Sequence, residues 1–308
     1  MYELIIIGGG PAGAAAGVYA ARKQIKTALI AESFGGQSVE SNEIQNWIGT
    51  IAISGMDLAK NLKEHVKFYG KDFIDIKEGE RVSEIQKTGN EFTVTTNKGE
   101  YKTKTVLVAT GSSRKKLDMP GAREFEGKGI TYCASCDGPF FADKDVVVVG
   151  GGNAGFESAA QLLAYCKSVT LISRGEFRAD PVTVEKVLAN PKMKALDNAF
   201  PVEIKGDKFV TSLVYQRTAP FVDNIEIETD GIFVEIGHTP ATAFLENTPV
   251  EMDEFKRVKI DHKTQRSSLE GLWAAGDCTD TLYHQNNIAA GDAVKAVEDI
   301  YLELQRMK

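Results

Sequence analysis

The sequence predicts an α/β fold of two Rossmann-like dinucleotide-binding domains, three-layer ββα, with the second domain inserted into the first. Three observations predict it. The turn Gly8-Gly9-Gly10-Pro11-Ala12-Gly13 follows an apolar run and opens an Ala-rich stretch. The same order restarts at Gly150-Gly151-Gly152-Asn153-Ala154-Gly155, and near the C-terminus a strand-to-turn segment appears that the second unit does not need. Glycine turns between a strand and a helix are individually weak signals, but their repetition in one chain restricts the options.

In chain order, residues 4–7 predict a strand, the first turn and the stretch to Arg22 predict turn and helix, and residues 27–31 predict a second strand ending at Glu32. From Phe73 to Thr110 short alternating runs separated by Gly89-Asn90 and Lys98-Gly99 read as antiparallel strands of a meander. The Pro120-Gly121 pair breaks the pattern, and strand, turn, helix and strand then follow over 145–172, with the helix reaching Cys166. A second meander is expected over 224–240. Gly271-Leu272-Trp273-Ala274-Ala275-Gly276-Asp277 reads as a return to the first domain, and apolar residues at helical spacing, including Val294, Val297, Tyr301 and Leu304, predict a C-terminal helix packed on that domain or across a dimer interface. The expected domains are therefore 1–116 with 245–308, and 117–244 inserted between them.

Composition narrows the partners. At 308 residues the chain is long enough for two hydrophobic cores, and a net charge of −7 lacks the positive field that captures nucleic acid or anionic membranes. No apolar stretch reaches the ~20 residues of a membrane helix. The opening strand leaves no room for a signal peptide, and four cysteines, two of them in a C-x-x-C, suit a reducing compartment, so a cytoplasmic protein is expected.

In the first turn Gly8 permits the tight bend, Gly10 lets backbone amides approach a pyrophosphate, and Gly13 permits close packing of helix on strand. Glu32 stands where a carboxylate would meet an unmodified ribose. Gly150, Gly152 and Gly155 repeat the pattern, but the position equivalent to Glu32 is Arg174. With Ser173 and Arg178 it offers a hydroxyl and two guanidinium forks to a 2′-phosphate, which favours NADPH in the second site.

Between the two turns lies Cys133-Ala134-Ser135-Cys136-Asp137. Two sulfurs at this spacing can bond to each other, and Asp137 can supply the proton that thiolate chemistry needs or act as a turn aspartate. A zinc half-site is the competing reading, but His65, His238, His262 and His284 are scattered singly and no second C-x-x-C is present. A dithiol fed by a hydride donor needs a mediator, and FAD in the first site is the economical choice. Cys166 reads as a small buried residue.

The chain resembles the low-molecular-weight thioredoxin reductases, flavin-dependent pyridine nucleotide-disulfide oxidoreductases, over nearly its whole length. The residues that carry the likeness are the first glycine turn, Phe34-Gly35-Gly36-Gln37, Ala109-Thr110-Gly111, Cys133-Ala134-Ser135-Cys136-Asp137-Gly138, the second glycine turn, Ile236-Gly237-His238-Thr239-Pro240, Ala275-Gly276-Asp277 and Tyr283-His284-Gln285. The resemblance implies FAD held by Gly8, Gly10, Pro11, Ala12, Gly13, Glu32, Gly36, Gln37, Asn46, Val82, Thr110, Gly111, Gly276, Asp277, Gln285 and Asn286. It implies a nicotinamide nucleotide at Gly150, Gly152, Asn153, Ala154, Gly155, Ser173, Arg174, Arg178, Ile236 and Gly237, with Cys133 and Cys136 as the redox disulfide and Asp137 as the acid.

The same likeness implies a homodimer, rotation of the inserted domain, and a thioredoxin-like protein as acceptor. Members that use NADPH usually show His-Arg-Arg followed by a further Arg, whereas this chain has Ser173-Arg174-Gly175 with Arg178, which leaves NADH possible. Asp137-Gly138-Pro139-Phe140-Phe141 and Gly276-Asp277-Cys278-Thr279 are similar to the reductase component of alkyl hydroperoxide reductase. The alternatives that follow are an NADH-dependent reductase of a peroxiredoxin or other redoxin, a ferredoxin- or flavodoxin-type NADP reductase on the same scaffold, and a slow redox sensor.

Overall fold

The computed structural model describes residues 1–41, 43–218 and 223–307. The chain divides into two compact units, Met1–Ser113 with Thr239–Lys308, and Arg114–His238.

Unit 1 is built on β1 (Tyr2–Ile7), α1 (Pro11–Arg22) and β2 (Thr27–Ala31), followed by α2 (Gly55–Gly70), β3 (Ile74–Glu78), β4 (Val82–Thr88), β5 (Glu91–Thr96), β6 (Glu100–Val108) and β7 (Ser112–Arg114), which crosses into unit 2. The main sheet runs β3-β2-β1-β6-β5-β4. Strands β1, β2 and β3 are mutually parallel, and β6 runs parallel to β1 with Ile5 opposite Val106. Strands β4, β5 and β6 form the antiparallel meander. The expectation of antiparallel strands from Phe73 onward is thus corrected at its start, because α2 carries the chain across the sheet and delivers β3 parallel to β2, as a helical crossover must.

Alternation of side chains along β1 divides the core. Leu4 and Ile6 pack with α1 residues such as Ala14 and Ala16, whereas Ile5 and Ile7 pack on the opposite face with Ile85, Phe92 and Val94 of the meander.

Unit 2 contains β8 (Ile130–Thr131), α3 (Ala134–Asp137), β9 (Asp145–Val149), α4 (Asn153–Leu162), β10 (Ser168–Ile172), α5 (Pro181–Leu188), β11 (Met193–Leu196), β12 (Ala199–Gly206), β13 (Val210–Arg217), β14 (Ile225–Glu228), β15 (Gly231–Val234) and β16 (His238–Pro240), which crosses back. Its parallel sheet has the order β11-β10-β9-β15-β8, and β12-β13-β14 form a separate antiparallel sheet. Val146 and Val148 face Phe156 and Leu162 of α4, while Val147 and Val149 face Ile204 and Leu213 of the second sheet. This is the three-layer ββα arrangement. The second meander lies earlier than expected: residues 232–234 are not part of it but form β15, parallel to β9. A fully apolar, fully buried run is the mark of a parallel strand.

The chain returns to unit 1 with β17 (Leu272–Ala274), parallel to β6, and α6 (Asn286–Arg306). Helix α6 buries Ala293, Val297, Ile300 and Leu304 in the same cluster as α1. It is anchored by Arg266, whose guanidinium pairs with Asp299 at 2.5 Å and Glu303 at 2.8 Å, while Trp273 Nε1 donates to Asp299 at 2.9 Å.

The crossings between units fall at 113/114 and 238/239, whereas the sequence suggested 116/117 and 244/245. The Pro120-Gly121 turn that suggested the first boundary belongs to unit 2. Its Pro120 carbonyl accepts from Ile204 N at 3.0 Å, and a Cβ on Gly121 would lie 2.0 Å from the Ile204 oxygen. The two crossing strands, β7 and β16, pair with each other.

Candidate active site

In unit 1 the first glycine turn lies at the carboxyl end of β1. A Cβ on Gly8, at φ +120°, would fall 2.2 Å from the Ala109 oxygen, and one on Gly13 would fall 1.8 Å from the Gly8 oxygen, so both positions exclude a side chain. Gly10 is different: the nearest atom its Cβ would meet is 3.8 Å away. Its missing side chain opens space and does not relieve a clash.

That space belongs to a cleft of ≈ 590 Å³. Gly8, Gly10, Pro11, Ala12, Glu32, Gly36, Gln37, Val82, Thr110, Gly111, Gly276, Asp277 and Asn286 all line it. Gly13 packs behind the turn. Asn46 and Gln285 are not part of the lining but are joined to each other, Asn46 Nδ2 donating to Gln285 Oε1 at 3.0 Å. Gln37 donates to the Ser112 carbonyl, and Asp277 lies 3.5 Å from His284 Nδ1. Glu80 and Arg81 also line the cleft and were not anticipated; Arg81 Nε sits 3.7 Å from Glu32 Oε1. A charged pair just before a strand carries no periodic signal.

The helix ends differ in how they are capped. Helices α2 and α5 are capped by Ser54 and Asp180 side chains, whereas α1, α4 and α6 begin without a side-chain cap. Helices α1 and α4 open on the glycine turns, and Asn286 at the start of α6 lines the cleft. Uncapped amides at a helix N-terminus favour an anionic ligand. An open Gly10, an uncapped α1 and a carboxylate at the ribose position fit the pyrophosphate and adenosine of FAD.

Unit 2 repeats the cradle. A Cβ on Gly150 would meet the Glu235 oxygen at 2.2 Å, one on Gly155 would meet the Gly150 oxygen at 1.9 Å, and one on Gly152 would meet nothing within 4 Å. Asn153 Oδ1 accepts from Asp180 N at 2.8 Å, tying the start of α4 to the α5 cap; Ala154 is exposed beside it. Arg174 and Arg178 are exposed, but Ser173 is buried with its hydroxyl against Gly151, where a Cβ would come within 2.1 Å of Oγ. Two of the three side chains proposed for a 2′-phosphate thus point outward. Ile236 and Gly237 follow β15, and the Gly237 carbonyl accepts from Lys115 N at 3.0 Å.

The cysteine pair also lies in unit 2. Cys133 and Cys136 form a disulfide with Cα atoms 5.3 Å apart, across the turn that starts α3. Asp137 follows directly. Burial holds its carboxyl above the ordinary range, an effect the Thr131 hydroxyl, which donates to Oδ2, and the Arg114 guanidinium partly offset. Burial likewise raises Glu235, against a hydrogen bond from Ser158 and the charge of Arg114, with Glu157 adding to the rise. Sequence reading missed Glu235, although a carboxylate ending the run Ile232-Phe233-Val234 was a visible anomaly. Cys166 and Cys278 are buried free thiols, both raised to about 11 by burial.

A pair of nucleotide cradles with a vicinal disulfide is matched by known proteins. The pattern of the pyridine nucleotide-disulphide oxidoreductases fits residues 2–294. The chain belongs to that family. FAD and a pyridine nucleotide, which enzymes of this family use, are the cofactors the two cradles fit. As a pyridine nucleotide-disulphide oxidoreductase it is similar to the NADH dehydrogenase of Bacillus subtilis (strain 168), 38% identical over 296 residues, covering 96% of this chain and 57% of that protein. It is similar also to the F component of alkyl hydroperoxide reductase from Escherichia coli (strain K12), 39% identical over 311 residues, covering 100% of this chain and 59% of that one. The chain therefore spans less than two thirds of the curated relatives it matches. The crystal structure of thioredoxin reductase from Streptococcus pyogenes MGAS5005 matches with a TM-score of 0.92 and 31% identity, covering 99% of each chain.

Proposed function

We propose that the protein moves electrons from NADPH through FAD to the Cys133–Cys136 disulfide, and from the resulting dithiol to the disulfide of thioredoxin or a thioredoxin-like protein. The observation that carries this reading is the formed disulfide with a partly buried carboxyl beside it, in the same unit as the second cradle. The residues of the first cradle would hold FAD, which would supply hydride acceptance and two-electron transfer when bound. The chain's residues do the rest. Backbone amides of both glycine turns orient the pyrophosphates, Glu32 holds a ribose hydroxyl, and Asp137, kept protonated by burial to higher pH than a free carboxyl, supplies the proton that a leaving thiolate takes up. One cysteine of the reduced pair attacks the acceptor disulfide, and the other resolves the mixed disulfide, re-forming Cys133–Cys136.

Arg174 and Arg178 support NADPH. A second reading, an NADH-dependent reductase of a peroxiredoxin or other redoxin, draws on the relatives' names and on the burial of Ser173, which leaves fewer groups for a 2′-phosphate. We place the activity in the cytoplasm, on the two buried free thiols, and as a homodimer, for which exposed Ile48 and Ile51 of unit 1 offer apolar surface. Among the described residues no helix is long and apolar enough to cross a membrane.

Anaerobic stopped-flow mixing with NADPH or NADH, followed by oxidised thioredoxin, tests the reading. Bleaching and then restoration of the flavin band is expected. A flavin that stays reduced in the presence of oxidised thioredoxin would reject that acceptor, and faster bleaching by NADH would select the second reading.

A further inference from the structure

The two units repeat one construction at the ends of their central strands and differ in one residue of it. In unit 1 the Ala109 amide donates to the Ile7 carbonyl at 2.8 Å, and the Ala109 oxygen seals the side of Gly8. In unit 2 the Glu235 amide donates to the Val149 carbonyl at 2.8 Å, and the Glu235 oxygen seals the side of Gly150 in the same way. Where unit 1 carries a methyl group, unit 2 carries a carboxylate.

Its position is the place where the strand order reverses. From β9 the sheet proceeds through β10 to β11 on one side and through β15 to β8 on the other, and Gly150 and Glu235 directly follow β9 and β15. In open α/β sheets a dinucleotide lies across that crevice. The carboxylate is fixed there: Ser158, on the second turn of α4, donates to Glu235 Oε1 at 2.7 Å. The other charged groups bearing on it are Arg114 at the end of β7 and Glu157 beside Ser158, of opposite sign. A half-buried carboxyl costs free energy to keep unless it is paired, and here one oxygen is paired only with the Ser158 hydroxyl.

We propose that Glu235 touches the nicotinamide end of the nucleotide in unit 2 and makes that unit bind the oxidised form more tightly than the reduced form. The inference rests on the assignment of the second cradle to a pyridine nucleotide. The oxidised ring carries a positive charge and the dihydro ring carries none, while the remainder of the molecule is the same. A half-buried carboxylate, whose charged form the Ser158 hydrogen bond and the Arg114 charge favour, attracts the first and is indifferent to the second. Such a site favours the product of hydride donation over the donor.

Isothermal titration of the FAD-loaded protein with three probes tests this: NADP⁺, its neutral 1,4,5,6-tetrahydronicotinamide analogue, which donates no hydride, and 2′-phospho-ADP-ribose, which has no nicotinamide; the NAD series replaces them if NADH reduces the flavin faster. In E235Q the preference for NADP⁺ over the tetrahydro analogue should fall about tenfold, with the affinity for 2′-phospho-ADP-ribose unchanged. S158A, which removes the hydrogen bond favouring the charged carboxyl, should move the preference in the same direction by less. An unchanged preference in E235Q, or equal weakening of all three probes, overturns the inference and leaves the nucleotide assignment standing. A wild-type protein that binds none of the three overturns both.

Discussion

Asp137 sits beside the disulfide at a cost that can be measured. Its carboxyl is held above the ordinary value of 3.8 in the folded protein, chiefly by burial. Between the unfolded and folded values the native state therefore binds more protons than the unfolded chain, so this contribution is fully present below the unfolded value and is lost as pH rises through the folded one. D137N removes the titration. Its thermal midpoint, followed from about pH 4 to pH 8, should decline less with rising pH than that of the wild type. Parallel curves would mean that Asp137 titrates as a free carboxyl does. In turnover, D137N should lose activity by about 10²- to 10⁴-fold, the usual contribution of a positioned acid, while flavin reduction by the nucleotide is retained. A group that opposes folding at neutral pH and serves the chemistry is the expected exchange of stability for function.

At the scale of elements, the two glycine turns separate packing from binding. In G155A the new methyl would overlap the Gly150 oxygen at 1.9 Å, so β9 and α4 must part; a loss of about 3 kcal/mol is expected in denaturant unfolding. In G152A the methyl meets nothing within 4 Å but enters the space above an uncapped helix start. The thermal midpoint should stay within about 2 °C of the wild type while pyridine-nucleotide affinity falls about tenfold or more. Equal nucleotide affinity in G152A would show that the ligand does not approach this turn. These turns were legible because an apolar strand of fixed length, a glycine triplet and a small-residue helix are local signals. Strand direction was not. Residues 74–78 and 232–234 alternate or run apolar as antiparallel and parallel strands both can, and only the crossover that precedes each decides the partner. Likewise Glu235 and Arg81 gain meaning only when β15 and β4 bring them to the cradles.

At the scale of the molecule, the inserted unit enters and leaves through paired strands, with Lys115 N 3.0 Å from the Gly237 oxygen. Ends this close allow a domain to fold by itself. A fragment of residues 114–238 should therefore unfold cooperatively, bind a pyridine nucleotide and bind no FAD; a molten or insoluble fragment would show that the unit depends on the remainder of the chain. The inserted arrangement itself was readable from two strand-turn-helix starts and one late return, but its exact crossings were not, since the Pro-Gly break marks a turn packed on β12 and the true crossings are short strands without a compositional signature.

The central claim concerns where electrons rest, and a reductive titration counts them. Titrated anaerobically with dithionite, the FAD-loaded wild type should take up about two electron pairs per flavin, one for the flavin and one for the disulfide, and C133S/C136S should take up about one. Equal uptake by the two proteins, with Cys133 and Cys136 still oxidised after the wild-type flavin is fully bleached, would contradict the account.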